Sequence, residues 1–326
     1  MKTIYTSIVL AMVCCCANAE YVELNDALRA TYENCVGIDD ALHDMKVRAG
    51  INTAVTGVGT GLGIGATAVG IAKANVDKAI EEKLASMRSM SYGASPDVVV
   101  VGSTEFMAAL EQQLQQSKSE ITIKEVDAEN PLKKALDAEN ERITAELTQK
   151  SKRLGNWRTG LIAGNTVTNV AGAIIASKNK VDKSLQEQID GCIKSVRNLQ
   201  NSIVAARING EDVTEAQKIH HACAGFEYID TSKINNRATG SMVSSIVGSG
   251  TGLAGTITSI MANSDKVRSN DTPEGIKKEK NLNTAANVLS AGSAVASATA
   301  TVFNASQIKA IKDVAKVAEQ CTEVLK

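Results

Sequence analysis

The sequence has few of the side chains that usually fill a protein core or carry out chemistry. Aromatic residues make up 3% of the chain of 326 residues, and there are only 3 prolines, 3 histidines and 1 tryptophan. Globular cores depend on bulky side chains for much of their buried area. A chain with so few of them, and with 24 glycines, must instead bring its backbones close together.

Two function classes find no support in the composition. The formal net charge is −1 at pH 7, so the chain has no broad electrostatic field to attract nucleic acid or acidic partners. His43, His220 and His221 are the only histidines, and no serine lies in a nucleophile-elbow motif, so no hydrolase machinery is visible. We predict a non-enzymatic protein with no catalytic residue, no cofactor, no metal, no small-molecule substrate and no nucleic-acid partner.

Two short arrangements of polar residues could suggest metal binding or acid–base catalysis, but each has a more ordinary explanation. The run His220-His221-Ala222-Cys223 supplies too few ligands for a metal site by itself. Asp39 and His43 are four residues apart and share a helix face, which favours an exposed ion pair.

The N-terminus has the layout of a signal peptide. An apolar run over residues 4–16 follows Lys2 and precedes Ala17-Asn18-Ala19, which matches a basic segment, a hydrophobic segment and an A-x-A cleavage site. The run is too short to span a bilayer. We expect removal of residues 1–19 and a periplasmic or extracellular location.

The predicted export affects whether the cysteines are expected to form disulfides. Three of the 7 cysteines lie in the predicted signal peptide, which leaves Cys35, Cys192, Cys223 and Cys321. An even set in an oxidising compartment predicts two disulfides, for which three connectivities exist.

Four long segments contain no charged residue, namely 49–72, 159–177, 238–264 and 281–308. Basic residues flank each one. A cysteine precedes the first and third segments, and one follows the second and fourth, at similar distances. This order, repeated twice, predicts an internal duplication with halves at 20–209 and 210–326.

The third segment contains Gly250-Thr-Gly-Leu-Ala-Gly255, which matches the G-x-G-x-x-G phosphate loop of dinucleotide-binding folds. Small residues nevertheless recur there every three or four positions, from Ala238 through Ser245 to Ala262. A helix face has this period, whereas a phosphate loop or a strand does not. We therefore predict a helix-packing seam.

Similar small-residue seams are predicted in the other segments. Glycine inside a helix costs on the order of 1 kcal/mol relative to alanine, and close packing of backbones compensates for it. Gly57-x-x-x-Gly61-x-x-x-Gly65 is a small-xxx-small pattern, or glycine zipper. The glycines assigned to the seams are Gly57, Gly61, Gly65, Gly160, Gly164, Gly172, Gly248, Gly252 and Gly255. In the fourth segment the seam comprises Ala286, Ser290, Ser293, Ser297 and Ala300.

These features predict an all-α fold of long antiparallel helical hairpins with four main helices. Helix A covers residues 24–90, helix B 131–208, helix C 214–267 and helix D begins at Pro273, after Thr272 as N-cap, and ends near residue 325. Antiparallel packing brings Cys35 level with Cys192 and Cys223 level with Cys321, so we favour those two pairs. Residues 94–130 are predicted to form a small α+β or irregular insertion at one hairpin tip, with a helix and two candidate short strands.

Two interpretations of function remain open at this point. One is an exported structural or interaction protein of the cell envelope or periplasm, with an envelope protein or a second copy as partner. The other is a membrane-inserting or pore-like protein, because segments of this length span a hydrocarbon core and Trp157 lies where an interfacial anchor would. The many glycines, threonines and asparagines make insertion marginal and favour the first.

Overall fold

A computed structural model describes residues 23–92, 131–268 and 272–326. These residues are almost entirely helical and contain no strand, as the all-α prediction requires. The helices are α1 (Leu24–Cys35), α2 (Ile38–Tyr92), α3 (Pro131–Lys178), α4 (Lys183–Ile208), α5 (Thr214–Cys223), α6 (Ser232–Asn263), α7 (Asp265–Arg268) and α8 (Pro273–Leu325). The predicted signal peptide and the insertion at 94–130 lie outside the described residues.

Three of the four predicted long helices are interrupted at positions where the sequence predicts continuity. Helix A is two helices, because Gly37 adopts a left-handed backbone conformation with φ of 91° between α1 and α2. Helix B ends at Lys178 and resumes at Lys183, where Asp182 accepts a hydrogen bond from the Leu185 backbone N–H. An N-cap of this kind starts a new helix.

Helix C is also divided. A short 3-10 helix (Ala224–Tyr228) follows α5, and the chain turns before α6. The Ser232 backbone and hydroxyl both donate to Asp230, and the hydroxyl contact is the main cause of the lowered pKa of that carboxyl.

The start of helix D agrees with the sequence. Thr272 Oγ1 accepts a hydrogen bond from the Gly275 backbone N–H at 3.1 Å, and Pro273 is the first helical residue. The chain turns at Asn209-Gly210, between the predicted end of helix B and the predicted start of helix C, with Gly210 at φ of 81°.

The chain divides into two compact units. Of the described residues, unit 1 comprises those up to Thr67 together with Gly160–Thr258 and Thr284–Lys326, and unit 2 comprises those within Ala68–Thr159 and Ser259–Asn283. Each unit takes segments from both sequence halves, and the internal duplication stays a prediction.

Unit 1 has a conventional apolar core around the cysteines, which we call the cysteine-end core. It is built from α1, α4, α5 and the adjoining parts of α2, α6 and α8. Its larger members are Ile38, Leu42, Met45, Leu185, Ile189, Val196, Phe226, Ile234, Ile311 and Val314. Charged pairs such as Arg29–Glu33 and Lys183–Glu187 are exposed on the helices around it. Apolar side chains inside and charges outside are the arrangement expected in water.

Both disulfides lie in this core and have the predicted connectivity. The Cα atoms are 4.8 Å apart in Cys35–Cys192 and 4.5 Å apart in Cys223–Cys321. All four cysteines are fully buried.

Candidate functional site

The charge-free segments of unit 1 bury mainly polar and small side chains, with Ile162 as the large apolar exception. Four helices, α2, α3, α6 and α8, contribute to this polar core. Its polar members are Asn52, Thr56, Asn165, Asn169, Ser241, Ser245, Ser290, Ser293, Ser297 and Asn304, of which none is more than 1% exposed. Buried amides and hydroxyls need hydrogen-bond partners, and many of those partners lie on neighbouring helices.

Helices α2 and α8 are joined through Asn304. The Asn52 side-chain amide donates to Asn304 Oδ1 at 2.9 Å, and the Asn304 amide donates to Thr56 Oγ1 at 3.3 Å. The Thr301 hydroxyl also donates to Thr56 Oγ1, at 3.0 Å.

Helices α3, α6 and α8 meet around two serines of α8. Asn165 donates to Ser293 Oγ at 2.9 Å, and the Ser293 hydroxyl donates to the Gly248 carbonyl at 2.7 Å. The Ser297 hydroxyl lies 3.0 Å from both Asn165 Oδ1 and Asn169 Oδ1. Both groups of hydrogen bonds join different helices, so they specify which helix faces meet.

Large apolar side chains cover the outside of the same segments. We call them the apolar belt of unit 1, and their exposure ranges from 46% at Val170 to 68% at Val302. The belt consists of Ile51, Val58, Ile64, Val167, Val170, Ile174, Val243, Ile246, Val247, Leu253, Ile257, Val288, Val295 and Val302. The usual distribution of polar and apolar groups is thus inverted here, within the same unit as the cysteine-end core.

The seams predicted on α6 and α8 are the buried faces. On α6 this face comprises Ala238, Ser241, Ser245, Gly248, Gly252, Gly255, Ser259 and Ala262, and on α8 it includes Ala286, Ser290, Ser293, Ser297 and Ala300. A Cβ at Gly252 would lie 2.5 Å from Thr166 Oγ1, so only glycine fits that contact without rearrangement. Residues 250–255 lie inside α6, and they form no phosphate loop.

The seam on α2 differs from the prediction. At Gly57 and Gly61 no neighbouring atom lies within 4 Å of the position that a Cβ would occupy, and a Cβ at Gly65 would approach only Leu161 Cδ1, at 3.6 Å. The buried face instead carries Asn52 and Thr56, followed by Gly59, Gly63 and Ala66. Asn52 and Thr56 form hydrogen bonds with residues of α8, so this face of α2 is the buried one.

The α3 seam agrees in part. Gly172 is buried, and a Cβ there would lie 2.8 Å from Thr56 Cγ2. Gly164 is half-buried against Leu62, whereas Gly160 is exposed with open space around it. The α3 face that packs runs instead through Ile162, Asn165 and Asn169.

Unit 2 contains a cluster of buried charges that sequence reasoning missed. Lys73 and Arg158 are both 0% exposed, although the sequence pattern presents them only as basic residues flanking the charge-free segments. Their spacing from buried residues on the same helix is the sequence feature that could have predicted their burial. Lys73 continues the buried face of α2 three residues after Gly70, and Arg158 lies three residues after Gly155 on that of α3.

The polar residues singled out in the sequence lie at or near the surface, where His43 and His221 are exposed and Asp39 and His220 are half-buried. Within the described part of the chain, no group of three or more His, Cys, Asp or Glu side chains is arranged to hold a metal. Cys223 is committed to its disulfide. Trp157 is 69% exposed at the start of the second charge-free segment.

Three helical stretches of described residues, Leu24–Met87, Asp137–Ile208 and Glu274–Leu325, are long and apolar enough by length and composition to cross a membrane. Comparison with protein-family models, curated proteins and solved structures gave no match. The function must therefore be argued from the residues themselves.

Proposed function

We propose that the protein is exported and spans a lipid bilayer with its charge-free helical segments, as a non-enzymatic, disulfide-stapled membrane bundle. The observation that carries this proposal is the inversion in unit 1, where amides and hydroxyls are buried and the apolar belt is exposed. The cysteine-end core of the same unit has the opposite, water-adapted arrangement. The chain thus has one surface suited to lipid, the apolar belt, and another suited to water, around the cysteine-end core.

The energetic cost of the belt in water supports this proposal. Burying a Val, Leu or Ile side chain is worth about 1.5–3 kcal/mol. More than ten such side chains stay about half exposed, so the stabilisation forgone is on the order of 10 kcal/mol. That is comparable with the whole stability of a typical domain, about 5–15 kcal/mol. Contact with lipid chains removes this cost.

The polar core supports it as well. Helices in lipid associate through small residues and through hydrogen bonds between Ser, Thr and Asn side chains, because lipid supplies no hydrophobic force between them. The Asn52–Asn304 and Asn165–Ser293 contacts are of this kind. A pore-like function would require this hydrogen-bonded core to separate.

Segment length fits a bilayer. The charge-free part of each helix in unit 1 is about 20 residues, or roughly 30 Å at about 1.5 Å per residue. A hydrocarbon core is about 30 Å thick. Because disulfides persist in oxidising compartments, we place the cysteine-end core on the exported side of the membrane.

The alternative function is a water-soluble structural or interaction protein of the envelope or periplasm. The cysteine-end core with its two disulfides favours it, as do the polar residues that weaken autonomous insertion. In that case another protein covers the apolar belt.

Flotation separates the two proposals. The signal-free protein is mixed with liposomes, floated on a density gradient and washed at alkaline pH. We expect the protein to stay with the vesicles after the wash. Recovery in the wash would mean that the soluble interaction protein is the correct interpretation. Quenching of Trp157 fluorescence by brominated lipids gives a second readout, since it is the only tryptophan.

Self-association is a further part of the proposal. Gly57 and Gly61 lie four residues apart on α2 and have open space beside them, and GxxxG faces let two helices approach closely in lipid. Analytical ultracentrifugation in detergent tests this. We expect a dimer that is weakened by Gly61→Ile and not by Gly292→Ile, a change at another glycine with open surroundings. A monomer at high concentration would exclude self-association.

A further inference from the structure

Unit 2 holds its helices together with a buried cluster of ionised groups. Lys73 on α2 is fully buried, and its Nζ lies 2.6 Å from Asp77 Oδ2 and 3.4 Å from Glu279 Oε1 on α8. The Asp77 and Glu279 side chains are 29% and 24% exposed. Protons from solvent therefore reach the two carboxylates, whereas the ammonium group is shielded from bulk water.

The second buried cation has neutral hydrogen-bond partners. Arg158 on α3 donates through Nη2 to Asn283 Oδ1 at 2.9 Å and through Nε to Ser259 Oγ at 3.1 Å. The Asn283 amide lies 3.5 Å from Asp77 Oδ2. Asp77 is thus linked to Arg158 through a single amide side chain.

Asp77 has a third connection, to α7. The Ser151 hydroxyl donates to Asp77 Oδ1, and Arg268 Nη2 donates to Ser151 Oγ at 3.3 Å. The charged groups around Asp77 are therefore Lys73 from its own helix, Arg158 from α3, Arg268 from α7 and Glu279 from α8. Two carboxylates thus lie among three cations, two of which are fully buried.

We propose that Asp77 and Glu279 form a proton-operated latch, which keeps the helices of unit 2 packed at neutral pH and releases them in acid. Protonation removes the negative charges and leaves Lys73 buried without a counter-charge. Removing one partner of a buried ion pair is strongly destabilising, by enough to shift the ratio of closed to open unit 2 by about 100-fold or more. The direction follows from the contacts, because fully buried Lys73 keeps its counter-charges only while the two carboxylates are ionised.

The experiment measures helix separation within unit 2 of the protein without the predicted signal peptide, in detergent micelles. Spin labels are placed at Asn75→Cys on α2 and Gln149→Cys on α3, both exposed positions. The four native cysteines that remain are disulfide-bonded and leave the label sites unique. We expect a narrow distance distribution at neutral pH and a broader, longer one at about pH 3, where most carboxyl groups are protonated.

Three variants test whether the response to pH comes from Asp77, Glu279 and Lys73. Asp77→Asn with Glu279→Gln mimics the protonated state and should give the broad distribution already at neutral pH. Adding Lys73→Met removes the uncompensated cation, and this triple variant should stay narrow at both pH values, since whole buried ion clusters are replaceable by neutral groups. Glu139→Gln, a change at an exposed carboxylate of the same unit, should behave as wild type.

An unchanged distribution at acid pH, or a triple variant that still opens in acid, would overturn the latch. The measurement needs no bilayer. Its failure would therefore leave the membrane proposal standing, and failure of liposome flotation would leave the latch standing.

Discussion

At the scale of single residues, Asn304 ties the buried network of unit 1 together. It accepts from Asn52 and donates to Thr56, so one side chain satisfies polar groups on a neighbouring helix in both directions. Leaving a buried donor without a partner costs about 1–3 kcal/mol. The amide therefore matters more for pairing α2 with α8 than its size suggests.

We expect Asn304→Leu to lower the free energy of unfolding by about 1–3 kcal/mol, because it leaves the Asn52 amide with only the 3.5 Å contact to Ser241 Oγ. Denaturant unfolding in micelles, followed by circular dichroism, measures the change. Val302→Ala is the matched control, since Val302 lies two residues away on the exposed face. If both variants lose equal stability, the amide has no special role.

Two glycines of α3 should respond differently to the same substitution. Gly172→Val forces side-chain atoms into Thr56 and Ser245, which lie 2.8 and 3.2 Å from the Cβ position, and overpacking of this kind costs about 1–3 kcal/mol. Gly160→Val enters open space and should change stability by less than about 0.5 kcal/mol. Thermal unfolding of the two variants gives the comparison, and a larger loss for Gly160→Val would contradict the packing of α3.

The buried face of a helix can be predicted from its sequence only where no second face is an equally good candidate. On α6, large residues such as Ile246 and Leu253 occupy the faces beside the seam, so a single small-residue face remains and the sequence predicts it. On α2, the face with Gly57 and Gly61 competes with the face that carries Asn52 and Thr56. The deciding partner, Asn304, lies 252 residues from Asn52 in sequence, and local spacing carries no information about it.

At the scale of helices, predicted boundaries are reliable where local chemistry marks them. Thr272-Pro273 starts α8 and Asn209-Gly210 ends α4 as expected, because a cap or a turn acts on neighbouring residues alone. The sequence pattern does not predict the breaks at Gly37 and at residues 179–182. Nearby Asn179 is buried and hydrogen-bonded to Gln307 of α8, so its surroundings depend on tertiary contacts.

The disulfides fix how these helices pair, and their removal should be costly. Replacing Cys35 and Cys192 together by serine should lower the free energy of unfolding by about 2–5 kcal/mol, since the bridge closes a long loop with a sequence separation of 157. Unfolding of the variant is compared with that of the oxidised and reduced wild type. Peptide mapping without reduction provides the control, and a Cys35–Cys223 peptide would refute the pairing.

At the scale of the whole molecule, the apolar belt makes a prediction that separates membrane insertion from folding. Val58→Arg and Val295→Arg place a charge near the middle of a charge-free segment, on a side chain that is 57% or 66% exposed. In water such changes are nearly neutral. In a bilayer each costs about 2.5–3.5 kcal/mol. We therefore expect both variants to keep their helical circular dichroism spectrum and lose most of their vesicle-bound fraction after an alkaline wash.

Ile208→Arg supplies the matched control for this prediction. Ile208 is 80% exposed at the end of α4, among the helices that surround the cysteine-end core, and this part of unit 1 is the part we place in water. The substitution has the same chemistry as Val295→Arg and should leave vesicle binding unchanged. Equal losses at positions 208 and 295 would mean that added charge weakens binding wherever it is placed. Equal retention would mean that the belt faces a protein partner or water. Only a loss confined to the belt fits a bundle whose exposed valines and isoleucines contact lipid.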